Sequence, residues 1–79
     1  MTEFKELPKV IGMKQTLKQL ETGCVIKVVL AEDTDEPLKE KIIKACGTAD
    51  VPVITCRSKH ALGKESGIER DAAVVALLK

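Results

Sequence analysis

Aromatic side chains are almost absent from this 79-residue sequence, which holds no Trp, no Tyr and a single Phe, Phe4. That shortage excludes the RNA-binding modules that stack bases on exposed rings, such as RRM and OB surfaces. A KH domain is excluded by the lack of a G-x-x-G loop. No apolar run approaches the ~20 residues of a membrane helix. The longest, Ala72 to Leu78, has seven. The opening "MTEFKELPK" lacks the apolar stretch of a signal peptide, so a cytoplasmic protein with no membrane partner is expected. Cysteine is sparse and odd in number, Cys24, Cys46 and Cys56. In a cytosolic chain the three read as small buried hydrophobes without bridges.

Catalytic signatures are missing as well. There is no G-x-G-x-x-G after a strand and no G-x-x-x-x-G-K-[ST]; "GKESG" is neither. Zinc sites use paired ligands such as C-x-x-C, and the nearest candidates here are one Cys and one His, Cys56 and His60. The same two residues would need an orienting third group and an oxyanion pocket to work as a nucleophile pair. The plainer reading puts Cys56 in the core from a strand and leaves His60 solvated on a helix. No enzyme, metal or cofactor is expected.

What remains is ordinary globular material, 44% hydrophobic and 32% charged, sized for a single domain over 1–79. Net charge is only +1, but it is unevenly spread. Residues 31–36 carry Glu32, Asp33, Asp35 and Glu36 with no base, while 9–18 carry Lys9, Lys14 and Lys18 with no acid. Residues 57–64 carry Arg57, Lys59, His60 and Lys64, again with no acid. A fold that joined the two basic segments would own a basic patch despite the near-neutral total.

Periodicity predicts a helix from Met13, with Met13, Leu17 and Leu20 on one side, Lys14, Gln15, Lys18 and Gln19 on the other, and Gly23 as its stop. "CVIKVVLA", 24–31, reads as a strand covered on both faces. "EDTDEP" supplies capping groups, with Asp33 ordering the turn and Pro37 at a first helical position. Leu38, Ile42, Ala45 and Cys46 form the next helical stripe, which Gly47 is expected to end. "VPVITC" is a second strand, with Pro52 near its start or on an edge. Ser58 is an N-cap for a helix reaching Ser66, with Gly67 beyond it. Asp71–Leu78 reads as a third buried strand, "KVIG" at 9–12 as a very short fourth, and 1–7 as a helical or irregular lead-in. The alternation predicts an α/β fold, a three-layer α/β/α sandwich with a small mixed sheet.

Three segments resemble one known family. "GMKQTLK", 12–18, is similar to the G-x-[NK]-[EQ]-x-x-K signature of the L-seven-Ae superfamily of ribosomal and ribonucleoprotein proteins. "RSKHALGKESGIER" resembles its R-S-K-x-A-L-G-x-x-x-G-[IV] segment, and "LAEDTDEP" resembles its A-x-D-x-x-P turn with Pro37 one residue later than in that pattern. The likeness runs from about Lys9 to Leu78 in register. Short length and the Lys-Gln pair are similar to the bacterial YbxF-like branch.

The resemblance implies a ribosomal L-thirty-e-like fold and binding of kink-turn RNA, whose tandem sheared G·A pairs expose guanine edges in a widened major groove. Ordinary A-form RNA hides that groove. By resemblance the signature helix enters it by its N-terminus, Gly12 permits close approach, and Lys14 and Gln15 meet the bases. Lys18 reaches the same surface or a phosphate. Arg57, Ser58 and Lys59 flank the kink, Ile68 packs, and Arg70 contacts phosphate or base. Lys64 is left as a solvated helix residue. Where this sequence has Lys14-Gln15 the commonest family version has Asn-Glu, and Lys cannot accept a hydrogen bond from a guanine amino group. The expected partner is ribosomal RNA, a riboswitch or another structured RNA, bound by a monomer, with no DNA. A protein-interaction module on the same scaffold is the competing reading.

Overall fold

The run Val25–Ala31 organises everything else. Its β-branched residues suit an extended backbone, and a strand that is apolar on both sides demands cover on both sides. The structure, a computed structural model, describes residues 8–79; the reading of 1–7 as a lead-in lies outside the described residues. In chain order the elements are β1 (Lys9–Ile11), α1 (Met13–Thr22), β2 (Val25–Ala31), α2 (Glu36–Ala49), β3 (Val53–Cys56), α3 (Lys59–Glu65) and β4 (Val74–Leu78).

The four strands form one mixed sheet in the order β1-β4-β2-β3. β4 runs antiparallel to both β1 and β2, and β2 pairs parallel with β3. The period-2 alternation of strand side chains then divides the core. Val74 and Ala76 of β4 join Val28 and Leu30 of β2 on one face, under Leu20 of α1 and Ile42 and Cys46 of α2. Val75 and Leu77 join Val29 and Ala31 on the other, under Leu62 of α3 and Ala72. The result is the three-layer sandwich read from the sequence. Each fully buried Val or Leu contributes about 1.5–3 kcal/mol.

Several local expectations need correction. Gly47 does not end α2, which continues to Ala49 and stops at Asp50 in the left-handed conformation, φ 58°. The Asp50 amide donates to Gly47 O and the Val51 amide to Cys46 O, so the helix closes three residues later than expected. The last strand begins at Val74, not Asp71, because residues 70–73 turn to meet α3. Pro37 is the second helical residue, behind Glu36, and Asp35 holds the N-cap position without a side-chain cap bond. Only Cys46 is buried; Cys56 is half-buried and Cys24 is exposed where β2 starts, next to a register shift between Val25 and Lys27. On α1 the deepest side chain is Thr16, fully buried like no other residue of that helix. Its hydroxyl has no hydrogen-bond partner.

Candidate nucleic-acid interface

Strand directions decide what shares an end of the sheet. Ile11 pairs with Val75, Leu30 with Val74, and Ala31 with Cys56. The C-terminal ends of β1, β2 and β3 therefore meet the N-terminal end of β4. Four connections emerge there: Gly12 into α1, residues 32–35, residues 57–58, and residues 70–73. The start of α1 at Gly12 and the Arg57–Lys59 stretch, from the two basic segments, both begin at that end, although about 40 residues apart in sequence, while Lys9, paired with Leu77, lies toward the other end.

Gly12 shapes the first of these. Its φ of 106° and ψ of 157° lie in a region open essentially to glycine alone. The Gly12 amide donates to Val74 O at 2.9 Å, which ties the start of α1 to β4. A Cβ at Gly12 would meet no atom within 4 Å, so the space in front of it is open. No side chain caps α1 and no acid lies in its first turn. Among the described residues nothing accepts from the amides of Met13, Lys14 and Gln15. These donors carry the partial positive charge of the helix start, with the exposed side chains of Lys14 and Gln15 beside them. Lys18 is exposed one turn further on.

The second segment is held differently. Ser58 is extended, and its Oγ accepts from the Ala61 amide at 3.0 Å, a side-chain cap for α3. Asp33 Oδ1 accepts from the Lys59 amide at 2.8 Å. Asp33 thus serves α3, across the sheet end, and not the turn before Pro37. Arg57 is exposed, Ser58 and Lys59 are half-buried, and Arg70 is exposed. Ile68 packs against the α3 side of the core, with its amide donating to Gly63 O. A Cβ at Gly63 would collide with Arg70 O, so this helical glycine lets the 70–71 backbone lie directly on α3. A glycine inside a predicted helix is the sequence signal for such an approach.

His60 and Cys56 do not form a nucleophile pair. His60 Nδ1 lies 3.5 Å from Asp71 Oδ1, with both side chains well exposed. The Cys56 thiol donates to Glu65 Oε2 at 3.3 Å. Burial first, then that carboxylate, push the Cys56 thiol above its ordinary pKa, the reverse of what a thiolate nucleophile needs. Lys64 is exposed in the last turn of α3. Among the described residues no group of three or more His, Cys, Asp or Glu could hold a metal ion. No helix of the described residues is long and apolar enough to cross a membrane.

Comparison with known proteins adds an independent line. A model of the ribosomal protein L7Ae/L30e/S12e/Gadd45 family matches residues 7–79. Proteins named RNA-binding protein from Staphylococcus aureus strains JH9 and USA300 are 37% identical over 79 residues, covering 100% of this chain and 94% of theirs. Among solved structures, a protein with unknown function from Bacillus halodurans C aligns over 90% of this chain and 71% of its own, with TM-score 0.84 and 25% identity. The Giardia lamblia 15.5kD RNA binding protein aligns with TM-score 0.81 and 27% identity, over 90% of this chain and 60% of the Giardia chain.

Proposed function

The chain belongs to the ribosomal protein L7Ae/L30e/S12e/Gadd45 family, and from that premise we propose that it is a non-catalytic RNA-binding protein that recognises kink-turn RNA. The observation that carries this reading is the meeting, at one end of the sheet, of an uncapped helix start behind Gly12 with the Arg57–Lys59 loop and Arg70. An open helix start offers amides to phosphate or base acceptors, and the missing Cβ of Gly12 lets RNA come close. Guanine presents O6 and N7 acceptors, which suit Lys14 and the amide of Gln15. Lys18, Arg57, Lys59 and Arg70 add charge on either side, where the two RNA arms diverge from the kink. Ser58 and Ile68 hold the second loop in shape. The proposed setting is cytoplasmic and bacterial, with the protein acting as a monomer in a ribosomal or ribosome-associated ribonucleoprotein.

The test is a gel-shift titration of a kink-turn with tandem G·A pairs against the same RNA with those pairs made Watson–Crick. Strong preference for the kink-turn is expected, because a regular duplex buries the guanine edges in its deep groove. Equal affinity for both RNAs would reduce the binding to general electrostatic attraction and refute the proposal.

A further inference from the structure

Of the acidic residues at this end of the sheet, Asp33 has an unusual position. Its loop leaves β2, yet its carboxylate reaches the first residue of α3, 26 positions later, and accepts from the Lys59 amide at 2.8 Å. The loop that carries it is pinned on several sides. The Glu32 amide donates to Cys56 O at 2.8 Å, the Thr34 hydroxyl to Ala73 O at 3.4 Å, and Lys39 Nζ to Glu32 O at 3.1 Å. From the other flank the Ala72 amide donates to Lys59 O at 3.0 Å. Arg57, Ser58 and Lys59 therefore sit between two anchored loops, which the Thr34 hydroxyl links to each other and which hold Lys59 from either side, Asp33 at its amide and Ala72 at its carbonyl.

We propose that Asp33 is a positioning residue for RNA: it fixes the backbone at Lys59 and so aims Arg57 and Lys59, without touching RNA itself. The proposal rests on the kink-turn reading given above. It also separates the two basic segments by mechanism. At α1 the amides are open and can meet RNA directly. At α3 an internal carboxylate already takes the place of an anion at the first amide, so contact from that segment comes from side chains.

The sign of the effect distinguishes this role from simple electrostatics. A carboxylate near phosphates repels them, so its removal should tighten binding if charge alone mattered. Asp33→Asn keeps an acceptor oxygen and removes the charge; Asp33→Ala removes both. The experiment combines amide hydrogen exchange at Lys59 in the free protein with kink-turn titrations over a range of salt for wild type and both variants. Lys59 should be protected in wild type and Asp33→Asn and exchange at least tenfold faster in Asp33→Ala. Asp33→Asn should bind as well as wild type or better. Asp33→Ala should bind about tenfold more weakly, with a log–log salt slope shallower by roughly 0.7–0.9 for each phosphate that is no longer neutralised. Binding by Asp33→Ala as tight as wild type at every salt concentration would overturn the proposal, and so would an unprotected Lys59 amide in wild type. If Asp33→Ala does not fold, Asp33→Asn decides: fast exchange at Lys59 with unchanged RNA binding overturns it. Absence of kink-turn binding by wild type would refute the functional reading, and this role with it. A protected Lys59 amide would still show that the clamp exists, which keeps the two failures apart.

Discussion

Replacing Gly12 with alanine separates the structural from the functional part of the account. At φ 106° and ψ 157°, an L residue is forced into backbone space that glycine alone occupies freely. That strain costs about 1–3 kcal/mol. No steric clash adds to it, because nothing lies within 4 Å of the new Cβ. Urea denaturation should therefore show a stability loss in that range with an unchanged slope. The same methyl group projects into the space assigned to the RNA. Binding by the folded variant should fall at least about tenfold, equivalent to ~1.4 kcal/mol. Stability within about 0.5 kcal/mol of wild type would refute the backbone argument, since that is the range of an inconsequential surface change. Lost stability with unchanged affinity of the folded protein would show that RNA does not approach the start of α1.

Other consequences follow from single side chains. Thr16→Val keeps the shape and removes a buried hydroxyl that has no partner, so thermal or urea unfolding should show about 1 kcal/mol of added stability. Lys14→Ala and Lys18→Ala should each weaken kink-turn binding, by about 1–3 kcal/mol where a hydrogen bond to a base edge is removed. Both side chains are exposed on α1, so folding stability should change by no more than about 0.5 kcal/mol. Burial raises the Cys46 thiol above its ordinary pKa. A raised folded-state value means stability is complete below the unfolded pKa and is lost as pH rises through the folded one. Urea midpoints should therefore hold below about pH 8 and decline from about pH 9 upward; Cys46→Ala should be less stable throughout but lose its thiol's share of that decline.

Most of the framework was legible along the chain because its determinants are local. Apolar runs marked β2 and β4, Gly23 marked the left-handed stop of α1, and Ser58 marked the cap of α3. Gly47 misled for a physical reason: glycine is only about 1 kcal/mol worse than alanine inside a helix. Packing of Ile42 and Cys46 carries α2 past it, and Asp50 accepts the left-handed turn. The boundary at 71–73 was illegible because apolar residues there serve a turn that meets α3, not a strand. At the candidate site, the grouping of basic residues could be suspected from charge blocks, but their common end depends on the sheet order β1-β4-β2-β3. Asp33 lay beyond local reading altogether. An acid before a proline-led helix suggests a cap for that helix, and only the tertiary fold shows that it serves Lys59.

If the start of α1 and the Arg57–Lys59 stretch form one RNA surface, amide chemical-shift mapping will show both responding to the same ligand. On titration with a kink-turn RNA, the largest shifts should occur together at Gly12 to Lys18, Arg57 to Lys59 and Arg70. Amides at the opposite end of the sheet, near Cys24 and Val53, should stay in place. Shifts confined to one of the two segments, or centred on that opposite end, would contradict the account.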